Sequence, residues 1–442
     1  MFKKLRQIVL LLGDIIFAYL SLLLTIRIGF WNSFSWGIFE QHILPFSFLY
    51  LVWFLAFYMF GLYDLNAIRP KTELLARTGQ SLAVCFAVGL GFFYLMPMFG
   101  ITPKTNLLIS IFLFGGFTLL WRRLFYSFFS SLYLKNVSFL GQSSLAGNLA
   151  REIQEQPQLG FKFIKFLNKN EKIKPQLKKT KTTIVIVSQN INNDKRLTQE
   201  LYGCLHSKIT IIDLAQAYEM ILHKVPIDFI NQNWVLNNLS INEKRIYDNI
   251  KRVIDIVVSA LLMAMTSPIW GIIAAVIYAE DKGPIFYKQK RVGKDGKMFL
   301  IWKFRSMMQN AEKKGAQWAK KNDKRVTKTG KVLRKFHLDE FPQLINVLKG
   351  NISLTGPRPE RPEFVRELEK KVPHYNLRNL IKPGFTGWAQ IKFIQYARST
   401  EESHDKFQHD LYYMKNRAFL LDLGILLKTF QLFFRREKGQ KN

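Results

Sequence analysis

Four apolar stretches crowd residues 7 to 121, and each is near the roughly 17 to 25 residues that a helix needs to cross a bilayer. The first runs from Gln7 to about Ile28, the second from about Ile43 to Tyr63, and the third from about Ser81 to Phe99. The fourth, NLLISIFLFGGFTLLW, ends at Trp121. One such stretch fits a buried core helix. Four in a row imply a four-helix transmembrane bundle over residues 1–125. Lys3, Lys4 and Arg6 precede the first stretch. Arg69, Lys71 and Arg77 separate the second from the third, and Arg122 and Arg123 follow the fourth. The other two loops hold only Lys104 between them. Positive charge marks the cytoplasmic side. Both ends of the bundle are therefore expected in the cytoplasm. No small-residue cleavage site follows the first stretch, so it reads as an anchor rather than a removable signal.

Residues 130–235 read as a Rossmann-like α/β domain. Asn136–Gly141, Thr182–Ser188 and Lys208–Leu214 read as short strands, and a helical pattern follows the first of them. Strand, helix, strand argues for a parallel sheet. After Gly141 comes Gln-Ser-Ser-Leu-Ala-Gly, without the second glycine that lets backbone approach a pyrophosphate. A scaffold, regulatory or oligomerisation role is expected here, without a dinucleotide cofactor.

A fifth apolar stretch covers about 253–278. Lys251 and Arg252 precede it, and Lys282, Lys288, Lys290 and Arg291 follow. With cytoplasmic-looking charge on both flanks, it reads as a re-entrant helix that bends at Ser267-Pro268 and returns. Proline removes one helical hydrogen bond, and a neighbouring serine can satisfy the freed carbonyl. A plain kinked transmembrane helix is the alternative that hydropathy alone allows.

The remainder, to residue 442, is a basic globular region with a small α/β character. From Glu280 onwards it holds 36 Lys and Arg against 17 Asp and Glu, over half of the chain's net +32. Such a bias calls for a polyanionic partner or an anionic membrane face. No recognition helix or aromatic-basic groove motif accompanies it, so nucleic acid is not the expected partner. The two cysteines, Cys85 and Cys204, give no disulfide framework, and the seven histidines have no ligand spacing. FLLDLGILLKTFQLFFRR near the end, broken by Asp422 and Lys428, suits an interfacial helix with Arg435 and Arg436 at the headgroups.

Three segments carry candidate chemistry. PIFYKQKRVGKDGKMFLIWKFRSM is two strand-like runs around the turn signal Lys294-Asp295-Gly296, with Lys303 and Arg305 on the second run. Such a hairpin can aim cations at phosphate, and a merely solvated basic hairpin is the competing reading. LRKFHLDEFPQLINVLKGNISLTGPRPERPEF sets the adjacent carboxylates Asp339 and Glu340 among Arg334, Lys335, His337, Arg358 and Arg361. Neighbouring cations keep a carboxylate ionised, fit to act as nucleophile or as a magnesium ligand. The rigid Gly356-Pro357-Arg358-Pro359 turn can present Arg358 to a phosphate. KPGFTGW, at Lys382 to Trp388, is either a base-stacking loop or a structural one.

Together, KRVIDI at Lys251 to Ile256, the Ser267-Pro268 break, GPIFYKQKRVGKDGKMF, WKFRSM, LDEFPQLINVLKGNISLTGPRP and KPGFTGWAQI resemble the bacterial sugar transferases. These are monotopic polyprenyl-phosphate sugar-1-phosphate transferases. The likeness covers residues 245–434, and the catalytic domain is taken as 245–442. The long form of that family, found in exopolysaccharide and O-antigen initiation, has the same four-helix bundle and Rossmann-like middle domain. The resemblance implies transfer of a sugar phosphate from a UDP-sugar to undecaprenyl phosphate at the cytoplasmic face of the bacterial inner membrane. Asp339 would be the nucleophile and Glu340 would bind or position Mg2+, with both carboxylates as metal candidates. Lys303, Arg305, Arg358 and Arg361 would meet substrate phosphate. Lys251, Arg252 and Asp255 would anchor the re-entrant helix at the leaflet. Membrane lipid is an implied partner, and a homodimer through the first two domains is a further expectation. Two alternatives stay open: a non-catalytic membrane scaffold for polysaccharide assembly, and a ternary reaction with Asp339 as base. His337 departs from the family's usual small polar residue and is expected to be a variant, not a base.

Overall fold

The structure, a computed structural model, describes residues 2–31, 34–63, 71–95, 104–132, 134–155, 160–188, 194–204, 209–239, 244–309, 311, 323–392 and 399–434. The chain forms two compact units, Met1–Ala217 and Tyr218–Asn442.

The first unit opens with four long apolar helices: α1 (Phe2–Gly29), α2 (Trp36–Met59), α3 (Lys71–Leu95) and α4 (Lys104–Leu132). All four are long and apolar enough to cross a membrane. Each starts before its apolar window, because a helix needs only one apolar face per turn to continue, while α2 and α3 end at Met59 and Leu95, short of the expected Tyr63 and Phe99. Phe46, Tyr50, Trp53, Phe57 and Phe114 fill the space between them with ring contacts. One sequence expectation fails here. Arg122 is not a flanking charge, because α4 continues to Leu132. Its guanidinium is fully buried and grips Asp14 of α1 with both nitrogens, at 2.7 and 2.9 Å. Of the flanking charges, Arg69, Arg435 and Arg436 lie outside the described residues.

A parallel α/β layer completes this unit. Strands β1 (Lys135–Leu140), β2 (Phe161–Leu167), β3 (Ile184–Val187) and β4 (Thr210–Asp213) pair in the order β2-β1-β3-β4. Helices α5 (Ser144–Glu155), α6 (Ile173–Thr180) and α7 (Lys195–Tyr202) make the crossovers. The edge strand β2 is the one that the sequence hid, since its Lys162 and Lys165 break the apolar run. Ser143, where a dinucleotide motif would need glycine, accepts from the Ala146 amide and caps α5.

The second unit begins inside α8 (Leu214–Leu222), earlier than the sequence boundary at 235. Residues beyond Tyr218, including α9 (Gln232–Asn238), pack on the C-terminal region. Val225, Ile227 and Ile230 share a core with Leu368, Phe407 and Leu411. The Val225 amide donates to the Gln408 carbonyl, and Lys224 pairs with Asp405 at 2.8 Å. These partners lie nearly two hundred residues away, where local pattern carries no signal.

Next comes α10 (Arg245–Asp281), a single 37-residue helix with Pro268 inside it. The expected helix break is not a gap in the helix. Pro268 frees the Ala264 carbonyl, and the Ser267 hydroxyl donates to it at 2.8 Å. Val258 and Leu262 from one half of α10 pack near Leu344 and Leu354. Trp270, Ile273 and Ile277 from the other half pack with Phe304 and Leu333. Both halves therefore rest on the same globular body.

That body contains the hairpin β5 (Phe286–Val292) and β6 (Met298–Phe304), and the helices α11 (Lys328–Lys335) and α12 (Gln343–Lys349). Strand β7 (Ser353–Thr355), helix α13 (Pro362–Lys371) and strand β8 (Gly384–Thr386) follow. Then come α14 (Trp388–Lys392), α15 (Thr400–Asn416) and α16 (Phe419–Phe434). Asp422, which seemed to interrupt an apolar helix, faces inward. It accepts hydrogen bonds from Lys251 at 2.6 Å, from Tyr413 at 2.8 Å, and from Tyr247.

Lys251, Arg252 and Asp255 all make hydrogen bonds within the protein. Arg252 donates to the Val347 and Leu348 carbonyls at 2.6 and 2.7 Å, where α12 ends. Asp255 accepts from the Leu354 amide at 3.0 Å. Charge at a helix C-terminus and two charge-assisted bonds add up. Arg252→Ala is expected to cost about 2 kcal/mol in thermal unfolding of the detergent-solubilised protein.

Candidate active site

His337 has φ of 52°, a left-handed conformation that histidine and small polar residues adopt more readily than branched ones. The chain then makes one tight turn, Leu338–Glu340, before α12. Leu338 and Phe341 point into the core under α10. The two residues between them, Asp339 and Glu340, are left at the base of the hairpin, 6% and 5% exposed.

The hairpin forms around Lys294–Gly296 as its turn signal requires, with Asp295 at φ of 55°. Strand alternation sends Gln289, Arg291, Ile301 and Lys303 to one face. Lys303 reaches Glu340 Oε1 at 2.8 Å. Arg358 bonds to the same carboxylate, with Nη2 at 2.5 Å from Oε1 and Nη1 at 3.4 Å from Oε2. Glu340 is thus held between two cations from elements that meet only in the folded chain.

Arg358 is set by two glycine loops packed backbone to backbone. The Gly356 amide donates to the Thr386 carbonyl, and the Gly384 amide to the Pro357 carbonyl, both at 2.8 Å. A Cβ on Gly384 would stand 2.1 Å from the Gly356 nitrogen, so the approach excludes any side chain there. KPGFTGW is therefore a structural loop. Its Trp388 stacks on Tyr412 at 5.7 Å and donates to the His223 carbonyl. Behind the turn, Arg378 donates to the Arg358 carbonyl at 2.8 Å and to Asp410 at 3.0 Å.

Electrostatics separates the two carboxylates. Burial alone would raise Glu340, but Arg358 and Lys303 overrule it and hold the group well below the usual carboxylate range. Asp339 goes the other way. Burial pushes it up, Lys303 opposes, and the charge on Glu340 adds to the rise. Lys303 itself is lowered by burial, against the pull of Glu340. Among the described residues no side chain donates a hydrogen bond to the Asp339 carboxylate. It is a basic, nearly buried carboxylate next to a neutralised one, which is the character of a nucleophile or base.

Of the residues expected here, Asp339, Glu340, Lys303 and Arg358 come together. Arg305 leaves the group, because it follows the last residue of β6 and pairs with Asp281 at the end of α10. Arg361 turns to Glu363 at 3.5 Å and lies over the Phe364 ring. Arg334 was among the cations that the sequence placed around the dyad, without a role of its own, and Arg378 was not singled out from sequence. Arg334, bonded to the Ser306 hydroxyl at 2.9 Å, acts on Asp339 through its charge. Arg378 supports the Arg358 turn from buried surroundings. Its only sequence signal is a cation three residues after a tyrosine, which is no signal by itself.

Residues 246–436 match the family described as bacterial sugar transferase. A UDP-N-acetylgalactosamine-undecaprenyl-phosphate N-acetylgalactosaminephosphotransferase of Aeromonas hydrophila is 41% identical over 229 residues, which is 52% of this chain and 53% of that protein. A UDP-glucose:undecaprenyl-phosphate glucose-1-phosphate transferase of Klebsiella pneumoniae is 43% identical over 182 residues, 40% of this chain and 39% of its own length. An uncharacterized sugar transferase of Bacillus subtilis is 39% identical over 180 residues, 41% of this chain and 85% of its own length. The chain therefore spans about half or less of the two longer relatives.

Proposed function

The chain belongs to the bacterial sugar transferase family, and on that premise we propose that it moves a sugar-1-phosphate from a UDP-sugar to undecaprenyl phosphate. The observation that carries this is the divided dyad: Glu340 neutralised by Lys303 and Arg358, and Asp339 beside it with a raised, uncommitted carboxylate. In the first step an Asp339 oxygen attacks the β-phosphorus of the donor. The bond from that phosphorus to the bridging oxygen breaks, and UMP leaves with the electron pair. The second step is attack by the undecaprenyl phosphate oxygen on the same phosphorus, which returns the carboxylate and gives undecaprenyl-diphosphate-sugar. One site thus serves a soluble donor and a lipid acceptor in turn.

Magnesium fits this donor set. Two adjacent carboxylates suit an ion that takes few protein ligands and completes its shell with phosphate and water. Glu340 would share its oxygens with Lys303 and Arg358, so Asp339 is the freer ligand. Bound there, the ion would neutralise charge developing on phosphate. Lys303, Arg334 and Arg358 are this chain's own cations for the same purpose.

The first four helices form the transmembrane bundle in this reading, with the catalytic unit at the cytoplasmic face of the inner membrane. The fifth long helix, α10, enters one leaflet only. In support, both of its halves rest on one globular body, while Leu261, Met265 and Ile272 are 59%, 77% and 65% exposed.

The test combines membranes of wild type and Asp339→Asn with undecaprenyl phosphate, magnesium and a panel of UDP-sugars. UMP release with one sugar, lost in the variant, is the expected result. No release with any UDP-sugar from folded wild type would refute it. Since Lys303 lowers the Asp339 pKa, Lys303→Met is expected to move the acid limb of the rate profile to higher pH. An unmoved limb would separate Lys303 from the titration of Asp339.

A further inference from the structure

The face of the hairpin opposite Lys303 has no role in the reaction above. Antiparallel hairpins that meet water usually show polar side chains outward. Here Phe286, Met298 and Leu300 are 38%, 55% and 47% exposed on that face. Exposed Lys288 and Lys290 stand among them. Trp302 has two ammonium groups near its ring, with Lys288 Nζ at 4.0 Å and Lys349 Nζ at 5.5 Å from the ring centre.

This face is joined to α10 by unbroken ring contacts. Trp270 of α10 meets Phe304 at 5.6 Å, Phe304 stacks on Phe286 at 5.3 Å, and Phe286 meets Trp302 at 5.8 Å. Aromatic rings with an apolar body, flanked by lysines that extend to phosphate, are the composition of a membrane interface. A second copy is disfavoured by like charge, since the chain carries +32.

We infer that this outer hairpin face, with Met298 and Leu300 inserted and Lys288, Lys290 and Lys349 on phosphate, rests on the anionic headgroups of the bilayer that takes α10. The inference rests on the membrane reading of α10. It gives the catalytic unit a point of contact away from α10, which restrains the rotation of the active site about the α10 axis.

Fluorophores attached at Leu300→Cys, Met265→Cys and Lys371→Cys test it, in full-length protein with Cys85→Ala and Cys204→Ala. The protein is held in nanodiscs of phosphatidylcholine and phosphatidylglycerol in equal amounts, with headgroup-labelled nitroxide lipid as quencher. Quenching is expected at 265 and 300 and not at 371 on α13. At 300 it is expected to fall several-fold without phosphatidylglycerol, or with Lys288, Lys290 and Lys349 all changed to Glu. Quenching at 265 with 300 no different from 371 would overturn this inference alone. No quenching at either site would overturn it together with the reading of α10. Quenching at 300 that ignores both phosphatidylglycerol and lysine reversal would also overturn it, as would energy transfer between copies labelled at 300 without lipid quenching.

Discussion

An Asp339→Asn protein is expected to fold at least as stably as wild type at pH 7 and to release UMP about 10^4-fold more slowly or worse. The two halves of that result have one cause. Burial disfavours the ionised Asp339 carboxylate in the folded chain and raises its pKa. A carboxyl whose pKa is raised on folding binds more protons in the native state, so its contribution to stability declines as pH rises through that range. Asparagine keeps the shape and removes the buried charge. Stability is therefore unchanged or improved at neutral pH, and the proposed nucleophile is gone. A variant that lost activity by unfolding would show the opposite melting temperature, so calorimetry and UMP release on one preparation tell these apart.

Glu340→Ala is expected to act the other way, with a large loss of stability and of activity together. It leaves the Lys303 and Arg358 cations close to each other without their shared carboxylate. Removing one member of a buried ion pair costs about 3–5 kcal/mol. Lys303 and Arg358 keep 18% and 22% exposure, which water screens, so about 2–4 kcal/mol is the expectation here. For a body of this size that is a melting shift of about 10 °C. Glu340→Gln, which keeps an acceptor for both cations, should lose less. The pH dependence follows from sign. Glu340 is depressed on folding, so its stabilisation is present above the unfolded value of about 4.3 and is lost as pH falls through the folded value. Wild type should lose this increment in acid, and Glu340→Gln should have none to lose.

What the sequence made legible was local. Hydropathy located the four N-terminal helices and α10, because twenty apolar residues in a row need no partner to be recognised. Lys294-Asp295-Gly296 specified the hairpin, and Ser267-Pro268 specified a hydroxyl that satisfies a freed carbonyl. Asp339 and Glu340 stood out through the cations and the Gly356–Pro359 turn around them and then through the family motifs, since an Asp-Glu pair alone is common on surfaces. What stayed hidden was long-range. Lys303 and Arg305 are two residues apart, yet one faces the dyad and the other the end of α10, because the strand stops between them. Arg361 reads like Arg358 but lies where α13 begins and turns to Glu363. Arg252 and Asp255 hold α10 to α12 and β7, contacts that no local pattern announces. The segment after Tyr218 joins the catalytic unit through partners on α15 that no window could include.

The most direct test of a nucleophilic Asp339 omits the acceptor. Full-length enzyme is mixed with magnesium and the UDP-sugar identified by the panel, without undecaprenyl phosphate, and the protein is examined by mass spectrometry. A burst of about one UMP per active site, with a phosphosugar adduct mapped to Asp339 and discharged by undecaprenyl phosphate, is the predicted result. UMP release that waits for undecaprenyl phosphate, with no adduct at any time, would contradict it and make Asp339 a base in a single displacement.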